Sequence, residues 1–303
     1  MSDLNLPNFL VIGAQKAGTT WLSAMLSQHP DIGVAVSKEV HFFDHPDRFS
    51  RGIEWYAQQF PRGRQPLRGE FTPNYLWTFG CSREVGHGGL PLPLNIVESL
   101  DASQLKLICL LRNPVDRAVS AYYHHVRKGR VSVRTSILDV ADQWGIESMG
   151  RYDEHLEAWL CHVRRNQLLV LIYEQALRDD CKRQTLERVC DHLGASRYAD
   201  WEGLHDQQNE AGSHFRLHFS KGPLKILGRN RVAKRLPRRL TEHPRWRLEI
   251  SPAARQELAR RFQPHVERLE TMLDMDLSIW KEADGRLSST TRKPTTGELP
   301  QGD

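Results

Sequence analysis

Lys16 lies in the middle of the run Gly13-Ala-Gln-Lys-Ala-Gly-Thr-Thr-Trp-Leu22, between two glycines that leave backbone N–H groups uncovered. A lysine beside converging N–H donors and the positive end of a helix is a cation placed to neutralise a phosphate or sulfate. Further along, Lys38, Glu39 and His41 put a cation beside two groups able to accept a proton. Arg112 follows an apolar run, and Ser120 comes eight residues later on the helix expected after it. A cation inside a glycine loop and an arginine after an apolar run point to a phosphorylated nucleotide bound by cations.

The gap between Gly13 and Gly18 fits the nucleoside-triphosphate loop G-x-x-x-x-G-K-[ST] up to its sixth position and then departs from it. Thr19 stands where the lysine belongs, and the only lysine is inside the loop. The strand expected over 105–111 runs into Arg112 where a magnesium-binding Asp would be expected. The ligand implied is a phosphorylated nucleotide held by cations, with no metal.

The run 13–22 resembles the 5′-phosphosulfate loop of the sulfotransferases that use 3′-phosphoadenosine 5′-phosphosulfate (PAPS). Lys38-Glu-Val-His-Phe-Phe-Asp44 is similar to the segment that follows this loop in the heparan sulfate branch, within the wider carbohydrate and bacterial-type sulfotransferases. Leu110-Leu-Arg-Asn-Pro-Val-Asp-Arg-Ala-Val-Ser-Ala-Tyr122 resembles the 3′-phosphate motif. The resemblance implies that Gln15, Lys16, Ala17, Gly18, Thr19, Thr20 and Trp21 hold the donor's 5′ end, that Arg112 and Ser120 hold its 3′-phosphate, and that 3′-phosphoadenosine 5′-phosphate (PAP) is the product. It makes Glu39 the base, with His41 the alternate; Lys16 offsets charge on the leaving phosphate. Against these stand blander readings: Glu39 in an ion pair with Lys38 or Arg68, His41 packed beneath Phe42 and Phe43, Trp21 in the core instead of against adenine. Glu70-Phe-Thr-Pro73 replaces the Glu-Lys-[Ser/Thr]-Pro of the heparan sulfate enzymes, so a second active-site lysine is missing; Lys38 or Arg68 is the candidate substitute.

Several elements must position these groups. Phe9–Ile12 reads as a buried parallel strand, followed by a helix carrying Trp21, Leu22, Met25 and Leu26 on one face, with Thr19 and Thr20 as caps. Further strands are expected over 32–36, 67–72, 106–111 and 168–173. Asn113-Pro114 opens a helix through Tyr122 and Val126, two helices are expected in 134–164, another over 182–194, and Ser251-Pro252 starts a long last helix. Alternation of strand and helix gives an α/β fold, P-loop-like and three-layered, with a central parallel sheet flanked by helices. The domain is expected to span 1–282, with a disordered Ser/Thr/Gly/Pro-rich tail over 283–303.

The 303 residues carry a formal +5, unevenly distributed. Residues 214–247 hold eleven Lys and Arg against the single acid Glu242, while the rest of the chain has 31 bases and 36 acids. The segment 205–250 is therefore expected on the acceptor side, facing a glycan, a glycolipid or an anionic membrane surface. No apolar run approaches a membrane span and no leader pattern precedes Asn8, so the expected compartment is the cytoplasm, with peripheral contact at the inner face of the membrane. The five scattered cysteines suggest no disulfide framework. The sequence also admits a small-molecule or nucleotide kinase with a degenerate loop, and a non-catalytic anion- or nucleic-acid-binding protein; nucleic acid is not the expected partner.

Overall fold

Strand β1, Phe9–Gly13, is apolar along its length and wholly buried, as a strand covered on both faces must be. In the computed structural model, which describes residues 4–61, 63, 65–78, 91–206 and 249–281, it is the central strand of a five-stranded sheet. With β2 (Ile32–Val34), β3 (Leu67–Phe71), β4 (Lys106–Leu111) and β5 (Leu168–Ile172), the order is β2-β3-β1-β4-β5. Every pairing is parallel: Phe9 lies opposite both Gly69 of β3 and Lys106 of β4. In an open parallel sheet, ligands bind beyond the carboxyl ends of the strands, and here the loops leaving β1, β3 and β4 are adjacent at that edge.

Helices α1 (Thr19–Leu26), α2 (Pro46–Phe49), α3 (Ile53–Ala57), α4 (Leu92–Ser99), α5 (Pro114–Arg127), α6 (Tyr152–Leu160), α7 (Tyr173–Ala176), α8 (Lys182–Leu193), α9 (Pro252–Leu273) and α10 (Ser278–Lys281) flank the sheet. Two of them start as their caps dictate. Asn113 Oδ1 accepts from the amides of Val115 and Asp116 to open α5, and the Ser251 hydroxyl accepts from Ala254 N to open α9. The main core joins the sheet to α1, α6, α8 and the end of α9. A second cluster, with Val115, Tyr122, Ile146, Leu258 and Phe262, knits α5 to the first half of α9 and to the chain at 131–146.

Two expectations need correction. Only one α-helix forms in 134–164; before α6 there are single 3-10 turns at Leu138–Val140 and Ser148–Gly150. Ser136 N donates to Asp139 Oδ2 and so closes a turn, and Trp144 and Gly145 both take left-handed backbone angles that end any helix. Thr19 and Thr20 do not cap α1 either. Gly18 is its N-cap, with no side-chain bond to the helix. The basic stretch 214–247, the tail 283–303 and Cys81 lie outside the described residues. Among those described, the other four cysteines are free thiols, and no helix is long and apolar enough to cross a membrane.

Candidate active site

The loop between β1 and α1 is shaped by close packing beneath it. Gly18 has φ +92, and a Cβ there would lie 2.6 Å from the Leu177 side chain and 3.2 Å from the Tyr173 ring. A Cβ on Gly13 would meet that of Leu76 at 2.5 Å. Only glycine lets the backbone run this low. Because no side chain caps α1, its first-turn N–H groups remain for a ligand. Ala17 is buried beneath the loop, and the Gln15 Oε1 is buried with no protein partner. Trp21 is not a ring for adenine: it is 3% exposed and its indole N–H donates to the Leu204 carbonyl at 3.2 Å. What Trp21 offers a ligand is its backbone.

Lys16 takes a left-handed backbone angle, φ 73, and its Nζ lies 3.3 Å from His124 Nδ1 on α5. Burial, with Arg127 and Lys38 close by, pulls its ammonium down to about 8. His124 is pushed down to about 4 by burial and by Lys16, so it is a neutral ring whose Nδ1 accepts from the lysine. Sequence reasoning passed over His124; the signal was its place one turn after Ser120 on the same face of α5. Arg112 sits at the end of β4, as expected. Its Nη1 donates to the Lys16 carbonyl at 3.3 Å and its guanidinium lies over Tyr173 at 4.8 Å, while its buried Nε has no protein partner. Ser120 is half-buried on α5.

The second loop carries a continuous line of hydrogen bonds. Lys38 Nζ donates to Thr20 Oγ1 at 3.0 Å and to Glu39 Oε1 at 3.2 Å. His41 Nε2 meets Glu39 Oε2 at 3.2 Å, His41 Nδ1 meets the Asp44 carboxylate at 3.0 Å, and Asn74 Nδ2 donates to Asp44 Oδ2 at 3.3 Å. Burial alone would lower His41, but the bonds to Asp44 and Glu39 outweigh it and raise the ring to about 9. At neutral pH His41 is thus an imidazolium with both N–H groups in use, which disqualifies it as the resting-state base. The bond from His41, helped by Lys38, holds Glu39 below the usual carboxylate range against the opposing effect of burial. These surroundings keep Glu39 ionised and aimed.

The packing beneath fixes this loop. His41 N donates to Thr72 Oγ1 and Phe43 N to the Tyr75 hydroxyl, each at 3.3 Å, and Phe42 stacks on Tyr56. Asp44, Thr72, Asn74 and Tyr75 are positioning residues that sequence reasoning did not single out, though Asp44 closes the motif it quoted. Phe71, where the resembling enzymes carry a lysine, is wholly buried against Phe9. Of the two proposed substitutes, Lys38 is at the site. Arg68 is not: its guanidinium is bound to the carbonyls of Leu6 and Gln65.

A cavity of about 530 Å³ opens between the chain leaving β3 and the turns that follow α5. Trp77 and Trp144 line it together with Asp139, Asp142, Arg151 and Arg261. Trp144 stacks on His125, the neighbour of His124. Arg151 and Arg261 both bind Glu147, at 3.0 and 2.9 Å. The site can therefore hold an anion at the start of α1, neutralise it from Lys16, and tie an ionised carboxylate to that helix start through Lys38. The orphaned Gln15 Oε1 and Arg112 Nε, with the uncapped helix start, fit a nucleotide with phosphate at each end of its ribose.

Residues 6–270 match the sulfotransferase domain family. Over 200 residues the chain is 32% identical to mouse heparan sulfate glucosamine 3-O-sulfotransferase 3B1, a match covering 63% of this chain and 47% of that one. The chain thus spans about half the length of the curated relatives it matches. Among solved structures, a sulfotransferase from Alicyclobacillus acidocaldarius is similar with a TM-score of 0.63 at 26% identity, covering 91% of this chain and 98% of that one. Mouse sulfotransferase SULT7A1, solved with PAP, shares the fold with a TM-score of 0.50 at 17% identity, covering 94% and 90% of the two chains.

Proposed function

The chain belongs to the sulfotransferase domain family, and we propose that it is an enzyme that moves the sulfuryl group of PAPS to a hydroxyl or amine of a carbohydrate, glycolipid or small-molecule acceptor. The observation that carries this reading is the line Thr20–Lys38–Glu39, which ties the phosphate-holding helix start to a carboxylate through one ammonium group. PAPS, when bound, supplies a sulfuryl group activated by its bond to phosphate. The first-turn amides of α1 and Gln15 hold the 5′ end, and Arg112 with Ser120 holds the 3′-phosphate. Lys16 Nζ, already short of solvent, offsets the charge that grows on the leaving oxygen. Glu39 accepts the acceptor's proton, and His41 and Lys38 keep that carboxylate ionised and in place. No metal is assigned to this chemistry.

The cavity is the proposed place of the acceptor. Trp77 and Trp144 suit the faces of a sugar ring, and the carboxylates and arginines at its wall suit hydroxyls, which agrees with what the names of the heparan sulfate relatives state for those proteins. For the segment 205–250 we propose, from its charge alone, contact with an anionic acceptor or an anionic membrane surface. Nothing among the described residues favours the kinase or the nucleic-acid-binding alternative. The test is to incubate the protein with radiolabelled PAPS and an extract of its own cells and identify the labelled product. Label transfer abolished by Lys16→Ala supports the reading; no PAPS-dependent transfer to any acceptor refutes it.

A further inference from the structure

His41, Asp44 and His45 present a ring nitrogen, a carboxylate oxygen and a second ring nitrogen, all within 4.8 Å of one another. We propose that these three side chains form an inhibitory zinc site on the catalytic loop. Two imidazoles and a carboxylate are a ligand set that suits zinc, with a fourth tetrahedral position left to water. Zinc–nitrogen and zinc–oxygen bonds of about 2.0–2.1 Å in a tetrahedron place the ligand atoms roughly 3.3 Å apart. His41 Nδ1 and the Asp44 carboxylate already stand 3.0 Å apart, so that pair needs almost no rearrangement.

Zinc would enter where the Nδ1 proton now sits; that proton goes to solvent, two bonds to the metal replace one hydrogen bond, and no electron changes hands. Asp44 is a rigid anchor, its side chain 1% exposed and held by Asn74. His45 is exposed, and its ring lies edge-on to that of His41 with centroids 5.2 Å apart, so the second imidazole already stands beside the first. The outer contacts are also in place, since Asn74 orients the carboxylate and Glu39 receives the other ring N–H of His41. Among the described residues no other group of three such side chains converges in this way.

A dication on Nδ1 would leave Nε2–H bonded to Glu39 and would make that carboxylate a poorer proton acceptor. Zinc therefore stops the reaction without occupying the donor or acceptor site. The inhibitory half of this inference rests on the proposed role of Glu39; the binding half does not. His45 lies outside the catalytic machinery, so His45→Ala separates the two.

The experiment is calorimetric titration of the untagged full chain with zinc chloride alone, paired with turnover measured with and without zinc. The expected result is one zinc per wild-type chain, at least about tenfold weaker binding in His45→Ala with an unchanged melting temperature, and zinc inhibition of the wild type that the variant escapes. Equal zinc affinity in wild type and variant, or no saturable binding by the wild type, overturns the site. Stoichiometric binding lost in His45→Ala upholds it even in a chain that transfers no sulfuryl group, an outcome that would overturn the proposed function alone.

Discussion

Lys38 donates to the Thr20 hydroxyl at 3.0 Å, so the residue before the proposed base is fastened to the first turn of α1, the proposed phosphate-binding helix. One ammonium group thereby links the start of α1 to the Glu39 carboxylate, eighteen residues along the chain from its hydroxyl partner.

This link predicts coupling between the two residues. Lys38→Met should reduce kcat about 10- to 100-fold and Thr20→Val less, because proximity and orientation are what the bridge supplies. The double variant should fall short of the product of the two losses, with a coupling of about 0.5–3 kcal/mol. Strict additivity in a double-mutant cycle on kcat would show that the bridge does not act in catalysis.

Glu39→Gln should lower kcat by orders of magnitude and leave PAP affinity nearly intact. The direction of the pH profile separates it from His41. With Glu39 as base, the active form carries a protonated His41, and kcat falls as pH rises through about 9. A neutral His41 acting as base would instead make kcat climb through the same range; an active Glu39→Gln with such a climb would transfer the role.

The depressed Lys16 gives a second limb. A lysine brought down to about 8 loses its charge within the working range of the free enzyme, so kcat/KM for PAPS should fall as pH rises through about 8. Lys16→Ala should reduce turnover by orders of magnitude and flatten that limb in the activity that remains. A limb unchanged in a residually active Lys16→Ala would assign it to another group.

PAP should bind far more tightly than AMP and without added metal. Arg112 and Ser120 would each contribute about 1.5–3 kcal/mol through bonds to the 3′-phosphate. Arg112→Ala and Ser120→Ala, measured by calorimetry, should erase most of the preference. Equal affinity for PAP and AMP in the wild type, or a magnesium requirement, would refute the donor assignment.

Reversing the charge at Arg235, Arg238 and Arg239 tests the basic segment. Weaker use of the native acceptor, or lost binding to anionic vesicles, is expected with PAP affinity unchanged; each cation adds about 1 kcal/mol at most near such a surface. Unaltered acceptor kinetics in a protein whose wild type binds no vesicles would reduce the segment to a solvated basic stretch.

Much of this site was legible in the residues themselves. A wholly apolar Phe9–Ile12, the Asn113-Pro114 and Ser251-Pro252 helix starts, and Arg112 at the end of β4 follow from interactions within a few positions, which local spacing records. The error over 134–150 was of the same local kind, where turn chemistry at Ser136 and Gly145 outweighed an apolar pattern. Charge state was not local. Lys16 meets His124 from 108 residues away, Asn74 reaches Asp44 across thirty, and Arg68 turns to carbonyls while Lys38 takes the place beside Glu39. The chain order names the groups proposed to do the chemistry; burial and the neighbours that folding supplies decide which of them hold a proton, because desolvation and hydrogen bonding act through space and leave no period in the sequence.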